Sequence, residues 1–310
     1  MPSSLTVGAS SHERAAHRPG LLHALSRVPD PRDPRGVSYP LAGELAVAVC
    51  AVLAGARSFA AIGEFAAHLG ASDLDRLGLD RGPVESTMRK LFARLDGAAL
   101  DAALAMFAWC RLRRVEGRRV IAIDGKTIRG ARTATATAPH LIAALDHVTG
   151  VVVGQHAVAA KSNEIPAVGD LLAAFDAADL RGSVITADAM HTQDETAKAI
   201  LAAGADYVFT VKANRPTLLA ALKKLPWAAV PRGAQSTQRG HGRRATRTIK
   251  VIEAPTLPGW PEFHGVAQIA QLRRTHTRAG KRSVEVVYLI TSAHRRDAPP
   301  AVLAAWVQGH

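Results

Sequence analysis

With 310 residues, 48% of them hydrophobic and 21% charged, the chain has a globular composition and enough length to bury a sizeable core, which excludes a dominantly disordered protein. Its formal net charge of +13 favours a polyanionic partner, nucleic acid first, and the excess is uneven: residues 231–310 hold 13 Lys or Arg against four acids. The two cysteines, Cys50 and Cys110, lie in apolar helical patterns and read as buried thiols of a reducing compartment rather than a disulfide or zinc framework.

Residues 1–20 lack an apolar signal segment and read as a disordered tail. The four prolines of residues 29–40 argue against regular structure there. Helical patterns then succeed one another at about 41–54, 58–68, 72–78, 85–95 and 97–114, with Ser58 and Ser86 as candidate N-caps and Gly55 and Gly70 as candidate stops. The apolar run at 45–56 is too short to span a bilayer and reads as a core helix. Residues 21–115 are therefore expected to form an all-helical domain. Arg89, Lys90 and Arg94 could give one of its helices a basic, DNA-facing side; a solvated face explains them equally well.

The pattern changes at Gly117. Strands are expected at 119–124, 140–146 and 151–158, followed by a helix at 164–178 with Ser162 or Asn163 as its cap and Pro166 in the first turn. Strand 183–187, helix 192–203, strand 206–212 and helix 215–224 come next. A Pro/Gly-rich loop (225–242) leads to strands at 246–254, 264–274 and 283–292 and a helix at 298–307. Three strands on short links, then helix–strand–helix–strand, predict an α/β unit over 117–310, a ribonuclease H-like mixed sheet flanked by helices.

Two apolar strands deliver an acid at their ends: "VIAIDGK" brings Asp124 and "VITADAMHTQ" brings Asp188. Either acid alone is ordinary turn chemistry. In the predicted order their strands are neighbours, so the carboxylates converge and need a cation between them or a shared proton. Mg2+ suits such a pair, because it takes carboxylate oxygens while keeping water and phosphate oxygens, and it supports phosphoryl transfer. Asp146, Asp194 and Glu195 read as turn or helix-start residues.

Longer strings carry a resemblance. "IAIDGKTIRGAR" (121–132), "HLIAALDHVTGVVVGQHAVAAKSNEIPAV" (140–168), "ITADAMHTQ" (185–193), "DYVFTVKANRPTL" (206–218) and "HGRRATRTIKV" (241–251), together with residues 33–65, resemble bacterial insertion-sequence DDE transposases of the H-repeat-associated (ISAs-type) group. The resemblance runs from residue 21 to 310. It implies hydrolysis of a phosphodiester at transposon ends and attack of the freed 3′-hydroxyl on target DNA, with Mg2+ or Mn2+ as cofactor. It makes Asp124 and Asp188 the first two members of a metal-binding acid triad. The family's third acid, a Glu in an "HW-x-I-E-N" string, would follow "AAWVQGH", so the chain is expected to be truncated before it and impaired. Glu164 is a weak substitute, equally explained as a helix start. The other reading is a catalytically inactive DNA-binding remnant.

Lys126 and Arg129 follow the first acid and are candidates to neutralise a phosphate; solvated flanks are the competing reading. His191 could orient a water or a DNA oxygen, or simply pack. Lys212, Asn214 and Arg215 sit between a strand and a helix, where they could clasp phosphate or serve the turn. Residues 238–250 hold five Arg or Lys around two glycines; Arg239, Arg243, Arg244 and Arg247 are the strongest candidates for contacting a nucleic-acid backbone. The expected partners are transposon-end and target DNA, with a homodimer left open, no membrane, and a cytoplasmic, nucleoid-associated location. No Cys/His spacing suggests zinc, no Gly-rich loop a nucleotide, and no Ser-His-Asp order acyl transfer.

Overall fold

The structure is a computed structural model. It describes residues 20–128, 138–158, 164–175, 177–240, 243–256, 259–278 and 281–308, with the backbone alone at 164, 165, 177, 243 and 278. The chain divides into two compact units, residues 1–111 and 112–310.

Regular elements described in the first unit are all helical: α1 (Leu21–Leu25), a 3-10 turn at Pro34–Gly36, α2 (Leu41–Leu53), α3 (Phe59–Ala67), α4 (Ala71–Leu77), α5 (Glu85–Phe92) and α6 (Gly97–Trp109). Ser58 caps α3 by accepting the Ala61 N–H at 3.2 Å, and Gly55 takes φ +104° just past α2. The other two signals play different parts. Val84 is the N-cap of α5, which leaves Ser86 inside the first turn, and Gly70 opens α4 instead of closing α3. α2 is buried along most of its length, but its last turn opens to solvent; there Val52, Leu53 and Cys50 are exposed, contrary to the buried thiol expected at Cys50.

The Pro-rich stretch before α2 is held by one charge network. Arg32 binds Asp30 at 2.7 Å, the Tyr39 carbonyl at 2.9 Å, and the fully buried Glu44 of α2. Burial pushes the Glu44 carboxyl up while the Arg32 guanidinium pulls it down.

The second unit is built on one nine-stranded sheet in the order β3-β2-β1-β4-β5-β9-β8-β7-β6. Its strands are β1 (Val120–Thr127), β2 (His140–Asp146), β3 (Val152–Val158), β4 (Val184–Ala187), β5 (Asp206–Val211), β6 (Ala234–Gly240), β7 (Arg243–Glu253), β8 (Gln268–Arg278) and β9 (Lys281–Thr291). Its helices are α7 (Glu164–Ala173), α8 (Ala177–Leu180), α9 (Asp194–Ala202), α10 (Pro216–Lys224) and α11 (Pro300–Trp306). β1 runs antiparallel to β2 and parallel to β4, and β4 is parallel to β5, so the sheet is mixed. β1 and β4 are flanked by strands on both sides, and Val120, Ile121, Ile123 and Val184–Ala187 are buried on both faces, as continuous apolar runs require.

Two departures from the sequence reading stand out. The expected helix at 164–178 is two pieces, α7 and α8, and part of the expected loop at 225–242 is strand β6. Almost every β6 position is exposed, so it shows no hydrophobic alternation; pairing with β7 alone makes it a strand. β6 to β9 form a long antiparallel ribbon, since β5 pairs with β9 only from Tyr288 to Thr291. On one face Ile249, Val251, Leu272, Val287 and Leu289 pack with Leu303 and Trp306 of α11. Among the described residues no helix is long and apolar enough to cross a membrane.

Candidate active site

The parallel register of β1 and β4 pairs Val120 with Val184 and continues through Ile123 and Ala187. Asp124 and Asp188 are the residues that follow this last pair on two adjacent strands, which in any sheet lie ~4.8 Å apart. β1 carries on to Thr127, whereas β4 stops at Ala187 and Asp188 caps a 3-10 turn, Ala189–His191, by accepting the Ala189 N–H. Asn214 donates to the Ala189 carbonyl, and Thr192 Oγ donates to the Thr210 carbonyl at 2.7 Å. The turn that aims Asp188 is therefore tied to β5 and to the segment that follows it.

Both carboxylates are open to solvent, with side-chain exposures of 47% for Asp124 and 60% for Asp188. Each already has a cation beside it: Lys126 Nζ lies 2.6 Å from Asp124 Oδ2, and Lys212 Nζ 3.4 Å from Asp188 Oδ1. Both acids line a cleft of about 460 Å³ that also takes in Thr210, Arg274 and Glu285.

The remaining candidates fall into different places. Asp146 also lines the cleft, but it pairs in register with Ile121, three residues below Asp124 and so ~10 Å away along the strand. Its Oδ2 accepts the Thr149 N–H at 3.0 Å and hydroxyl at 2.7 Å, which is the turn chemistry expected of it. His191 is 1% exposed, so the DNA contact considered for it is closed in this conformation. Arg215 holds Asp194 at 2.7 Å, and Asn214 is occupied with Ala189; both serve the turns. Glu164 opens α7, and its side chain, like that of Arg243, is outside the described residues; so are Ser162, Asn163, Arg129 and His310. Arg247 belongs to a transverse row, Arg247–Arg274–Glu285, on the cleft side of the sheet, whereas Arg239 and Arg244 project from the other side.

Sequence reasoning missed Arg274 and Glu285, which face each other across β8 and β9 with 3.6 Å between Nη1 and Oε2. Alternation along each strand would have put them on one face. Nothing in the sequence would have brought that face to the end of β1. Among the described residues no group of three His, Cys, Asp or Glu is arranged to hold a metal ion. Two solvent-exposed carboxylates lining one cleft are nevertheless the kind of donor set that holds a divalent cation together with a substrate's phosphates.

Residues 22–108 match the DDE_Tnp_1-associated family model, and residues 116–309 match the model described as Transposase DDE domain. Among curated relatives, an uncharacterized protein from the dhlA 3′ region of Xanthobacter autotrophicus is 34% identical over 281 residues, covering 87% of this chain and 93% of that protein. YncI of Escherichia coli O157:H7, named as a transposase candidate, is 35% identical over 253 residues, or 78% of this chain and 62% of that one. YhhI of Escherichia coli K12, named as an H repeat-associated transposase candidate, is 31% identical over 248 residues, or 76% and 63% of the two chains. The chain thus spans under two thirds of the length of these two Escherichia coli relatives. The match over most of the second unit, together with relatives above 30% identity, places the chain in the DDE transposase family, alongside H repeat-associated members.

Proposed function

We propose that this chain is a transposase unit whose second domain, residues 117–310, is a ribonuclease H-like core acting on DNA at transposon ends, preceded in the chain by a helical domain, residues 21–115. The strand order 3-2-1-4-5 of the first five strands supports the fold reading. The observation that carries the function is that Asp124 and Asp188 directly follow the paired ends of neighbouring parallel strands and line one cleft. Bound Mg2+ or Mn2+ would supply Lewis acidity and an activated oxygen nucleophile. The protein's own part is to hold two hard oxygen donors in place through the Asn214 and Thr192 hydrogen bonds. Lys126 and Lys212 neutralise those donors in the metal-free protein and stand ready to face the phosphate of a bound strand. Hydrolysis is attack of water on phosphorus with departure of the 3′-oxygen, which leaves a 3′-hydroxyl and a 5′-phosphate; that hydroxyl then attacks a target phosphodiester, forming one P–O bond and expelling the target's own 3′-oxygen. The expected setting is the bacterial cytoplasm with DNA as partner, and a homodimer stays open.

A second reading is a DNA-binding unit that cuts poorly or not at all. What favours it is that no third carboxylate among the described residues completes a metal-holding group with the pair. Two measurements separate the readings. Mn2+ should raise the melting temperature of the wild-type protein but not of Asp124→Asn or Asp188→Asn; a ligand at 100 times its Kd stabilises by ~2.7 kcal/mol. Equal responses in all three proteins would refute the site. Nicking of a supercoiled plasmid in Mn2+ that both variants abolish establishes catalysis. Metal binding without nicking establishes the remnant.

A further inference from the structure

The ribbon's other face carries a second feature. The register sorts its side chains into transverse rows across β6, β7, β8 and β9: Arg239–Arg244–Thr277–Arg282, then Thr237–Thr246–Thr275–Val284, then Gln235–Thr248–Arg273–Val286, with Lys250–Gln271–Tyr288 beyond them. Rows on one face are ~6.7 Å apart and strands ~4.8 Å apart, so the patch measures about 20 by 15 Å. No strand position in it is an acid. Arg239 and Arg244 stand directly opposite each other, a like-charge pairing that weakens a sheet. Arg244, Arg273 and Arg282 are exposed and make no salt bridge with a described acid. Between the cations lie hydroxyls and amides, with Thr237 and Thr246 Oγ atoms 3.1 Å apart, and part of the patch is a concave surface of about 500 Å³.

A merely solvated face would mix both signs of charge. This one collects cations on four strands without a counter-charge, as a polyanion would require, and its only large apolar groups are at the β9 side. It also lies on the opposite side of the sheet from the cleft, because Arg274, Glu285 and Val287, one register step away, line the cleft.

We propose that this face is a second DNA-binding surface, which grips the phosphate backbone of a duplex through Arg239, Arg244, Arg273 and Arg282 independently of the carboxylate site. The contacts are to phosphate and carry no base sequence. The choice of DNA over another polyanion rests on the transposase reading; the existence of the surface does not. A duplex held here is separated by the sheet from the strand that reaches Asp124 and Asp188, so one chain engages two DNA segments.

The test uses the full chain, a 30-base-pair duplex of arbitrary sequence and EDTA, with binding followed by fluorescence anisotropy from 50 to 200 mM salt. Arg244→Gln/Arg273→Gln/Arg282→Gln should weaken binding more than tenfold and flatten the slope of log K against log salt by about 2.7, at ~0.9 per lost phosphate contact. Lys223→Gln/Lys224→Gln/Arg296→Gln removes the same charge from exposed positions elsewhere and should change the slope little. Equal behaviour of the two triple variants would overturn the proposal. So would an unchanged DNA affinity with a lost dimer in sedimentation, which would assign the face to a second copy. In the wild-type protein, bound duplex should protect Arg244, Arg273 and Arg282 from phenylglyoxal; their full reactivity in the complex would also overturn it. Binding without any metal-dependent nicking would sink the enzymatic reading alone and leave this surface standing.

Discussion

Trp306 is where the energetics of the second unit can be tested most directly. It is fully buried in α11 against the apolar face of β7 to β9, its Nε1 donates to the Val115 carbonyl at 3.2 Å, and the Arg118 guanidinium lies 5.3 Å from its ring. Burying a Trp removes about 150–250 Å² from water, or about 4–6 kcal/mol at ~25 cal/mol per Å². Truncation in a core costs ~3–5 kcal/mol, because neighbours collapse only partly into the space. Trp306→Ala should therefore destabilise the second unit by about 4 kcal/mol. Trp306→Phe keeps most of the packing but loses one hydrogen bond, worth ~1 kcal/mol, and part of a cation–π contact, worth ~0.5–1 kcal/mol. The assay is urea denaturation followed by far-ultraviolet circular dichroism, fitted with separate transitions because two compact units need not unfold together. A Trp306→Ala loss under ~1 kcal/mol, or a Phe variant as damaged as the Ala variant, would refute the view that α11 clamps the ribbon.

Tyr207 offers a pH test. It is fully buried, its hydroxyl donates to the His264 carbonyl at 2.8 Å, and burial, then the charges of Asp194 and Asp206, push its phenol well above the usual range. A folded pKa above the unfolded value of ~10 means that its contribution is intact below pH 10 and declines above it, by up to ~1.4 kcal/mol per pH unit. Tyr207→Phe should remove that part of the alkaline slope in urea midpoints between pH 9 and 11, and an unchanged slope would count against it. Asn214→Ala should cost about 1 kcal/mol and reduce the Mn2+-induced thermal shift, since it frees the turn that aims Asp188; a full Mn2+ response would show that the turn holds itself. In the helical unit, a Cβ on Gly82 would lie 2.1 Å from the Ala66 carbonyl oxygen, so Gly82→Ala should lower stability by ~1–3 kcal/mol, read from that unit's thermal transition.

The strands that frame the cleft were legible because their information is local. Val120 to Ile123 and Val184 to Ala187 are short apolar runs ended by an acid, and the Asp146–Gly150 turn announces the β2–β3 hairpin by its own side chains. The convergence of Asp124 and Asp188 was expected from strand order, and the structure adds that β1 and β4 are adjacent and parallel up to the residue before each acid. Other features are non-local. β6 has no apolar period, so only its partner β7 makes it a strand. The run of arginines in residues 238–250 looked like one basic stretch, yet the two-residue period of β7 sends Arg244 to one face and Arg247 to the other. Composition determined that this protein is basic and folded, and local pattern determined which segments become strands. Which cations share a face with the carboxylates, and which gather on the far side of the sheet, was decided only by the register between strands distant in sequence, because a shift of one residue reverses every side chain.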